Sequence, residues 1–568
     1  MKTKKNDIVQ FASILIFILL VNVIGSQWYD RFDLTQEKRY SLSSTSKELI
    51  RSLDDYLYIE VYLEGDFPAG IERLSRESEH ILNEFQSENR LIQYSFINPT
   101  ESSDEKTKNE IISQLFEKGL NPTTLQVKDG DGYSEKIIIP GALVKYGSNE
   151  IAVQLLKNQI AQSPNQNIEQ SIQELEYEFV NAIKKITKPS KPNIALLNGH
   201  GELEGEGIKD LTQTLSEEYT LNRIDLREFE IKPSGEPDLN KKLNELKSQK
   251  VLLIAKPKNK FENLDKFFID QFIMNGGRVI WMLDATNADI DSLSNKGTFL
   301  VHSQNDLNLE DQLFKYGVRI NKDLIKDISC SKIPIPSGFI NDIPQWQLIP
   351  WKYFPVVIPT SGHTITNQLN AVKFDFASSI DTIKTNTKIN KTILLESSPY
   401  TKLVQTPYEI SLQKALEAPV QEEYNRGSRA TAVLLEGNFE SIFKNRLNHL
   451  SKTLPYQASS EFNRMIVISD GDVAKNQLSR GMALPLGYDK YEKRQYGNKM
   501  LILNSIDYLL EEDAFINIRN RELKLRLLDV QKISKEKKYW QFINIGIPIL
   551  VILLFGLIKQ YRRKKKYS

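Results

Sequence analysis

A chain of 568 residues with 40% apolar and 26% charged side chains is too long for one hydrophobic core and too apolar for bulk disorder, so two to four folded domains are expected. Its formal charge of +1 hides an asymmetry: residues 1–7 carry +2 and residues 559–568 carry +6, which leaves residues 8–558 at −7. A body that acidic excludes an electrostatic footprint for nucleic acid, and the single cysteine, Cys330, excludes an internal disulfide or a cysteine zinc cluster.

Ile8 to Ile24 is apolar apart from Gln10, Ser13 and Asn22, and Phe542 to Ile558 apart from Asn544. Each stretch is at the short end of what spans a bilayer at ~1.5 Å rise per residue. Trp28 and Tyr29 follow the first and Tyr539 and Trp540 precede the second, as interface belts, and the outer flanks are basic. The expectation is a two-pass inner-membrane protein with both termini cytoplasmic and the bulk of the chain periplasmic. A signal peptide cleaved before Ser26 competes for the first stretch, although a signal core usually runs only ~7–15 residues. Lys535, Lys537 and Lys538 make the charge bias of the second span less clean. Within the spans, Asn22 and Asn544 can hydrogen-bond across helices and Gly546 and Gly556 permit close backbone approach. These four are candidate packing residues against a multi-span partner.

Beyond the first span, residues 26–53 form a membrane-proximal segment with a short helix capped by Ser43 or Ser44. Leu57, Ile59, Val61 and Leu63 alternate as a strand; Ile71, Leu74, Ile81, Leu82 and Phe85 mark a helix; Ile92, Tyr94 and Phe96 a second strand; Ile111 to Phe116 a second helix closed by Gly119. A third strand at Leu125 and Val127 turns at Asp129-Gly130-Asp131-Gly132 into one running from Lys136 to Tyr146, and a long helix follows from about Asn167 to Ile186. The order βαβαββα is that of a thioredoxin-like domain over 54–187. No redox role accompanies it, because no cysteine follows its first strand. The DGDG stretch reads as a hairpin turn in preference to a calcium loop.

Lys188 to Pro192 reads as a stiff linker. Ile194 to Leu197 is a short buried strand, followed by Asn198, Gly199, His200, Gly201 and Glu202 and a helix from about Gly205 to Glu218. A strand near Leu221 to Leu226 leads to a polar connection. Then come a strand at Val251 to Ala255, a helix from Leu264 to Ile273 stopped at Gly276-Gly277, and a strand from Arg278 to Leu283 that ends at Asp284. The alternation predicts a largely parallel, doubly wound sheet over 191–530. Prolines crowd 334–359, and 330–430 reads as an irregular insertion. Strands return at Ala432 to Leu435 and at Met465 to Ser469, the latter followed by Asp470-Gly471-Asp472, and a helix runs through Met500 to Leu509. Residues 541–558 form the second span and 559–568 a basic tail.

In such sheets ligands and partners meet the loops at the carboxyl ends of strands. The candidate contact or ligand residues are therefore Asn198, Gly199, His200, Gly201, Glu202, Asp284, Asp470 and Asp472. A phosphate-binding loop, a dinucleotide fingerprint and a GxSxG elbow are all absent from the sequence. His200 and Glu202 are too few for a metal or a catalytic set, and a histidine between glycines at a strand end is first read as backbone geometry with a hydrogen-bonded side chain. No cofactor, metal ligand or catalytic residue is assigned.

RFDLTQEKRYSLS after the first span, NGHGE, NGGRVIWMLD, DGDVAKN, YGNKMLILNSIDYLL and INIRNRELKLRLLD before the second span, in that order, resemble the GldG family of gliding-motility proteins over nearly the whole chain. The resemblance implies a non-catalytic auxiliary component of an ABC-transporter-like complex, beside a GldA-like ATPase and a GldF-like permease. It also implies that the larger domain is glutamine-amidotransferase-like, a flavodoxin-like fold, without the catalytic cysteine. A solute-binding receptor feeding the permease, and a hydrolase acting at NGHGE, are the competing readings.

Overall fold

The computed structural model describes residues 11–20, 42–101, 104–129, 132–156, 164–187, 191–303, 307–340, 343–367, 369–413, 419–444, 454–510 and 530–567. Ser41–Arg521 forms one unit, and Met1–Tyr40 with Glu522–Ser568 another. The chain is mixed α/β.

Ser43 caps helix α1 (Ser44–Arg51) by accepting from the Ser46 amide, and the buried Glu176 carboxylate accepts from the Ser43 amide at 2.8 Å. The helix is thereby tied to the domain that follows. That domain runs β1 (Leu57–Val61), α2 (Ala69–Glu88), β2 (Ile92–Phe96), α3 (Glu105–Glu117), β3 (Thr123–Asp129), β4 (Gly132–Ile138), β5 (Gly141–Tyr146), β6 (Asn149–Gln154) and α4 (Pro164–Thr187). Its sheet has the order β2-β1-β5-β6, with β1 and β2 parallel and the rest antiparallel. The strand expected from Lys136 to Tyr146 is two strands: Pro140, which has no N–H for a ladder, separates β4 from β5. β3 and β4 form a separate hairpin, while β5 and the unforeseen β6 complete the sheet. Gly130 and Asp131 of that hairpin, and Lys188 to Ser190 of the expected linker, lie outside the described residues.

The second sheet begins with β7 (Asn193–Asn198), α5 (Lys209–Glu218), β8 (Thr220–Asp225), α6 (Leu239–Lys247), β9 (Val251–Ala255), α7 (Asn263–Met274) and β10 (Arg278–Met282). Helix α6 stands where a polar connection was expected. Asp238 caps it through the Lys241 amide, and Leu243 and Leu246 are buried. Then follow α8 (Ile290–Lys296), β11 (Thr298–Val301), α9 (Glu310–Tyr316), β12 (Val318–Ile320) and β13 (Asp323–Asp327). Next are β14 (Cys330–Ile340), β15 (Ile343–Val357), β16 (Val372–Lys373), β17 (Ile380–Thr382), β18 (Ile389–Glu396), β19 (Thr401–Gln405) and β20 (Tyr408–Ser411). The described chain continues with β21 (Ala430–Glu440), β22 (Ser459–Ile468), α10 (Asn498–Leu509) and α11 (Val530–Tyr567).

Seven strands pair in the order β18-β21-β22-β10-β9-β7-β8. β8, β7, β9, β10 and β22 are mutually parallel; β21 runs against β22, and β18 against β21. The continuous apolar runs are explained by burial on both faces. Ala195, Leu252, Ile254, Val279, Trp281 and Val467 point to the face covered by α6 and α7, whereas Ile194, Leu253, Ile280, Met282 and Ile466 point to the face covered by α5 and α10.

The described residues of 330–430 include seven strands, β14 to β20. β14 and β15 form a long antiparallel ribbon, and β18 joins the main sheet. Pro334, Pro336 and Pro350 pair with Leu348, Trp346 and Lys332, all in one pairing class. A proline at such positions leaves a ladder intact where its missing N–H would face away from the partner strand.

Among the described residues one helix, Tyr539–Arg562 within α11, is long and apolar enough to cross a membrane. Phe11–Leu20 is a ten-residue apolar helix, and the rest of the expected first span, with Asn22, lies outside the described residues.

Candidate functional site

The carboxyl ends of the parallel strands carry two ion clusters, separated by the loop that leaves β9. The first is built by the loop after β7. Gly199 has φ +98°, and a Cβ there would lie 2.3 Å from an Asp225 carboxylate oxygen, so only glycine lets the chain turn against the end of β8. The turn drives His200 inward until it has no exposed surface. Its carbonyl accepts from the Lys258 and Asn259 amides, both at 2.8 Å, and its ring stacks on Phe261 at 4.0 Å. Nε2 lies 3.0 Å from Asp265 Oδ2, and Nδ1 lies 3.6 Å from Glu202 Oε1. Glu202 Oε2 accepts from the His200 amide at 2.7 Å. Burial opposes the imidazolium, but Asp265 and Glu202 outweigh it and hold the His200 pKa above its ordinary value. For Asp265 burial raises, yet His200, the Glu262 amide and Arg227 together keep the carboxyl below its usual range.

The second cluster gathers Asp284, after β10, with Asp470 and Asp472, after β22; one oxygen from each lies within 4.8 Å of the others. That donor set could hold a cation, but a cation of the chain already stands there. Lys256, the residue after β9, places Nζ 2.5 Å from Asp472, 3.4 Å from Asp284 and 3.8 Å from Asp289. A Cβ on Gly471 would come within 2.5 Å of the Lys256 Cβ, so this glycine admits the close approach. Burial disfavours the ammonium, but Asp472 and Asp284 prevail and raise its pKa. Asp470 accepts from the Asp472 amide at 2.7 Å and the Asp375 amide at 2.6 Å. Burial first, then the charges of Asp472, Asp284 and Asp375, push its carboxyl well above the ordinary range. Burial likewise pushes Asp284 up to about 6 against the opposing pull of Lys256.

The expected site residues thus separate into two groups. Asp284, Asp470 and Asp472 meet; Asn198 to Glu202 form the other cluster, with Asn198, Gly199 and Gly201 half-buried and His200 and Glu202 buried. Asn544, Gly546 and Gly556 lie on α11, and a Cβ on Gly556 would meet nothing within 4 Å. Sequence reasoning missed Lys256, Asp265, Arg227 and Lys475. Lys256 carries the same mark as Asp284: a charge at the end of an apolar run. Cys330 is half-buried, and burial pushes its thiol up to about 12, far from a thiolate nucleophile.

Residues 191–505 match the family described as ABC-type uncharacterized transport system, and residues 36–145 match a domain of unknown function (DUF7088). An uncharacterized protein of Borreliella burgdorferi is 22% identical over 579 residues, covering 100% of both chains. The solved N-terminal domain of mmIFT52 is 12% identical, covers 56% of this chain and 97% of its own, and superposes with a TM-score of 0.31.

Proposed function

This chain belongs to the family of auxiliary components of ABC-type uncharacterized transport systems, and on that premise we propose that it is the non-catalytic, membrane-anchored subunit of such a complex in gliding motility. The observation that carries the non-catalytic reading is the state of the strand-end crevice. Where a ligand would enter, His200 is stacked, hydrogen-bonded and without exposed surface, and Lys256 occupies the acidic cluster. A hydrolase at NGHGE needs an imidazole that substrate can reach.

The finer assignments belong to the same reading. The sheet order β2-β1-β5-β6 supports a thioredoxin-like domain over 54–187, and the five parallel strands support an amidotransferase-like, flavodoxin-like domain over 191–530. The motif series of the GldG family supports a GldA-like ATPase and a GldF-like permease as partners; the chain itself encodes no phosphate-binding loop to supply energy. Two spans, with both termini cytoplasmic and the bulk periplasmic, are proposed from the flanking aromatic and basic residues. In the partner contact, the half-buried backbone of Asn198, Gly199 and Gly201 touches the neighbour, while His200 and Glu202 set the loop's shape. Asn22, Asn544, Gly546 and Gly556 pack the spans against the permease.

The test is purification of the intact complex from membranes with this chain as bait. An ATPase and a multi-span subunit should co-purify, and exchanging both spans for polyleucine should reduce recovery of the multi-span subunit. Recovery of this chain alone under mild solubilisation would overturn the reading.

A further inference from the structure

The register of the β14–β15 ribbon gives it two unlike faces. Ile333 and Ile335 alternate onto one, where they are buried in a core cluster with Trp351 and Tyr353. The pairs Lys332–Pro350, Pro334–Leu348 and Pro336–Trp346 share the other. There Trp346 is 63% exposed and Leu348 41%, and Lys332, Pro336 and Pro350 are exposed beside them. A tryptophan, a leucine and three prolines thus form one apolar strip, stiffened by the ladder and the proline rings. Its charges are few and mostly basic: residues 331–353 hold Lys332, Lys352 and one acid, Asp342, in a body of net charge −7.

We propose that this face of the ribbon lies on the bilayer surface, with Trp346 and Leu348 at the boundary between headgroups and acyl chains and Lys332 against anionic headgroups. The inference rests on the membrane-anchored reading and adds to it the surface by which the domain meets the membrane. Helix α11 carries the stretch long and apolar enough to cross, and residues 510–529, the 20 between α10 and α11, reach at most about 70 Å at full extension. Such a tether keeps the bilayer at high effective concentration, so a patch of modest affinity suffices. Anionic headgroups repel an acidic body and attract lysine, which favours approach by a face with basic flanks. Tryptophan concentrates at membrane interfaces, where its ring is buried while its N–H meets polar groups. Pro334 and Pro336 also withhold donors that a further strand would need, which disfavours a second copy pairing along β14.

The experiment reads Trp346 directly. The full chain carrying Trp28→Phe and Trp540→Phe is reconstituted into vesicles of phosphatidylcholine and phosphatidylglycerol, with or without brominated acyl chains, and compared with the same chain carrying Trp346→Phe. Trp281 and Trp351 are buried in the protein and supply a constant background. Brominated lipid should quench the emission assigned to Trp346 at least twofold, and Leu348→Ser and Lys332→Glu, which alter exposed side chains, should each at least halve that quenching. Emission that brominated lipid leaves unchanged, quenching that persists undiminished in Trp346→Phe, or quenching unaltered by both face variants would overturn the assignment. Trp346 shielded from brominated lipid and from aqueous iodide alike would put a protein, such as a second copy, on this face and overturn it too. Extraction of the chain from the vesicles by alkaline carbonate would refute the anchored reading itself, whereas a carbonate-resistant chain with unquenched Trp346 refutes the ribbon contact alone.

Discussion

The two ion clusters at the carboxyl ends of the parallel strands are balanced differently. Around His200, the carboxylates of Glu202 and Asp265 face one imidazole and the guanidinium of Arg227, so the charges cancel once His200 is protonated. Around Lys256, the carboxylates of Asp284, Asp289, Asp375, Asp470 and Asp472 outnumber Lys256, Lys475 and Lys258, which leaves carboxylates in excess. The first cluster is a closed hydrogen-bonded set that fixes a loop. In the second, burial first and the neighbouring carboxylates behind it hold Asp284 and Asp470 high, whereas His200, the Glu262 amide and Arg227 overcome burial to hold Asp265 low.

The largest effect should come from removing the one buried ammonium in the unbalanced cluster. Lys256→Met leaves Asp284 and Asp472 facing each other with only Lys475, 3.6 Å from Asp472, beside them, and is expected to cost ~3–5 kcal/mol, read from denaturant unfolding of the solubilised full chain. A loss below ~1 kcal/mol would mean that the carboxylates are neutral without it, and the contrast between the clusters would vanish. Asp265→Asn should rank next at ~2 kcal/mol, since it breaks a 3.0 Å charged hydrogen bond to His200 and the ion pair with Arg227.

The pH dependence sharpens the comparison. Asp284 titrates near 6 in the folded chain, above its ordinary 3.8. The folded state therefore binds the extra proton, and the associated stability is present below pH ~4 and lost as pH rises through 6. His200, also raised, contributes stability that is fully present below 6.5 and is lost as pH rises through its higher folded value. Both clusters predict lower stability at pH 8 than at pH 5, by about 1 kcal/mol or more. Asp284→Asn should make the loss of stability between pH 4 and 6 shallower, the remainder coming from Asp470 and the other raised carboxyls, while the His200 contribution persists. A profile in which the wild type gains stability from pH 5 to pH 8 would contradict both assignments.

The strands that position these clusters were legible because β7, β9 and β10 are unbroken apolar runs ended by a proline, a glycine or a charge, and burial on both faces leaves no other pattern. The clusters themselves were half legible. Asp284 and Asp470 announce themselves as strand-end charges, and Lys256 does so equally, but its role depends on the pairing of β9 with β10, which no local spacing encodes. Asp265 stands 65 positions from His200, in the first turn of a helix buried along its length; its local signature is the capping box with Glu262. The strands within 330–430 were not legible because prolines usually signal broken structure. Here Pro334, Pro336 and Pro350 sit at alternate pairs of the β14–β15 ribbon.

The smallest effect should come from the other carboxylate beside His200. Glu202 approaches Nδ1 only to 3.6 Å, beyond hydrogen-bonding length, whereas its second oxygen accepts from the His200 amide at 2.7 Å. Glu202→Gln retains an acceptor for that amide and removes only the longer-range charge, so it should cost under ~1 kcal/mol and lower the His200 pKa without releasing the loop. The pKa is measurable by following the ring protons by NMR, and the loop by hydrogen exchange of the Lys258 and Asn259 amides, which donate to the His200 carbonyl. If Glu202→Gln destabilised as strongly as Asp265→Asn, the two carboxylates would be equivalent partners. The 3.0 Å contact could then no longer be taken as the one that anchors the loop.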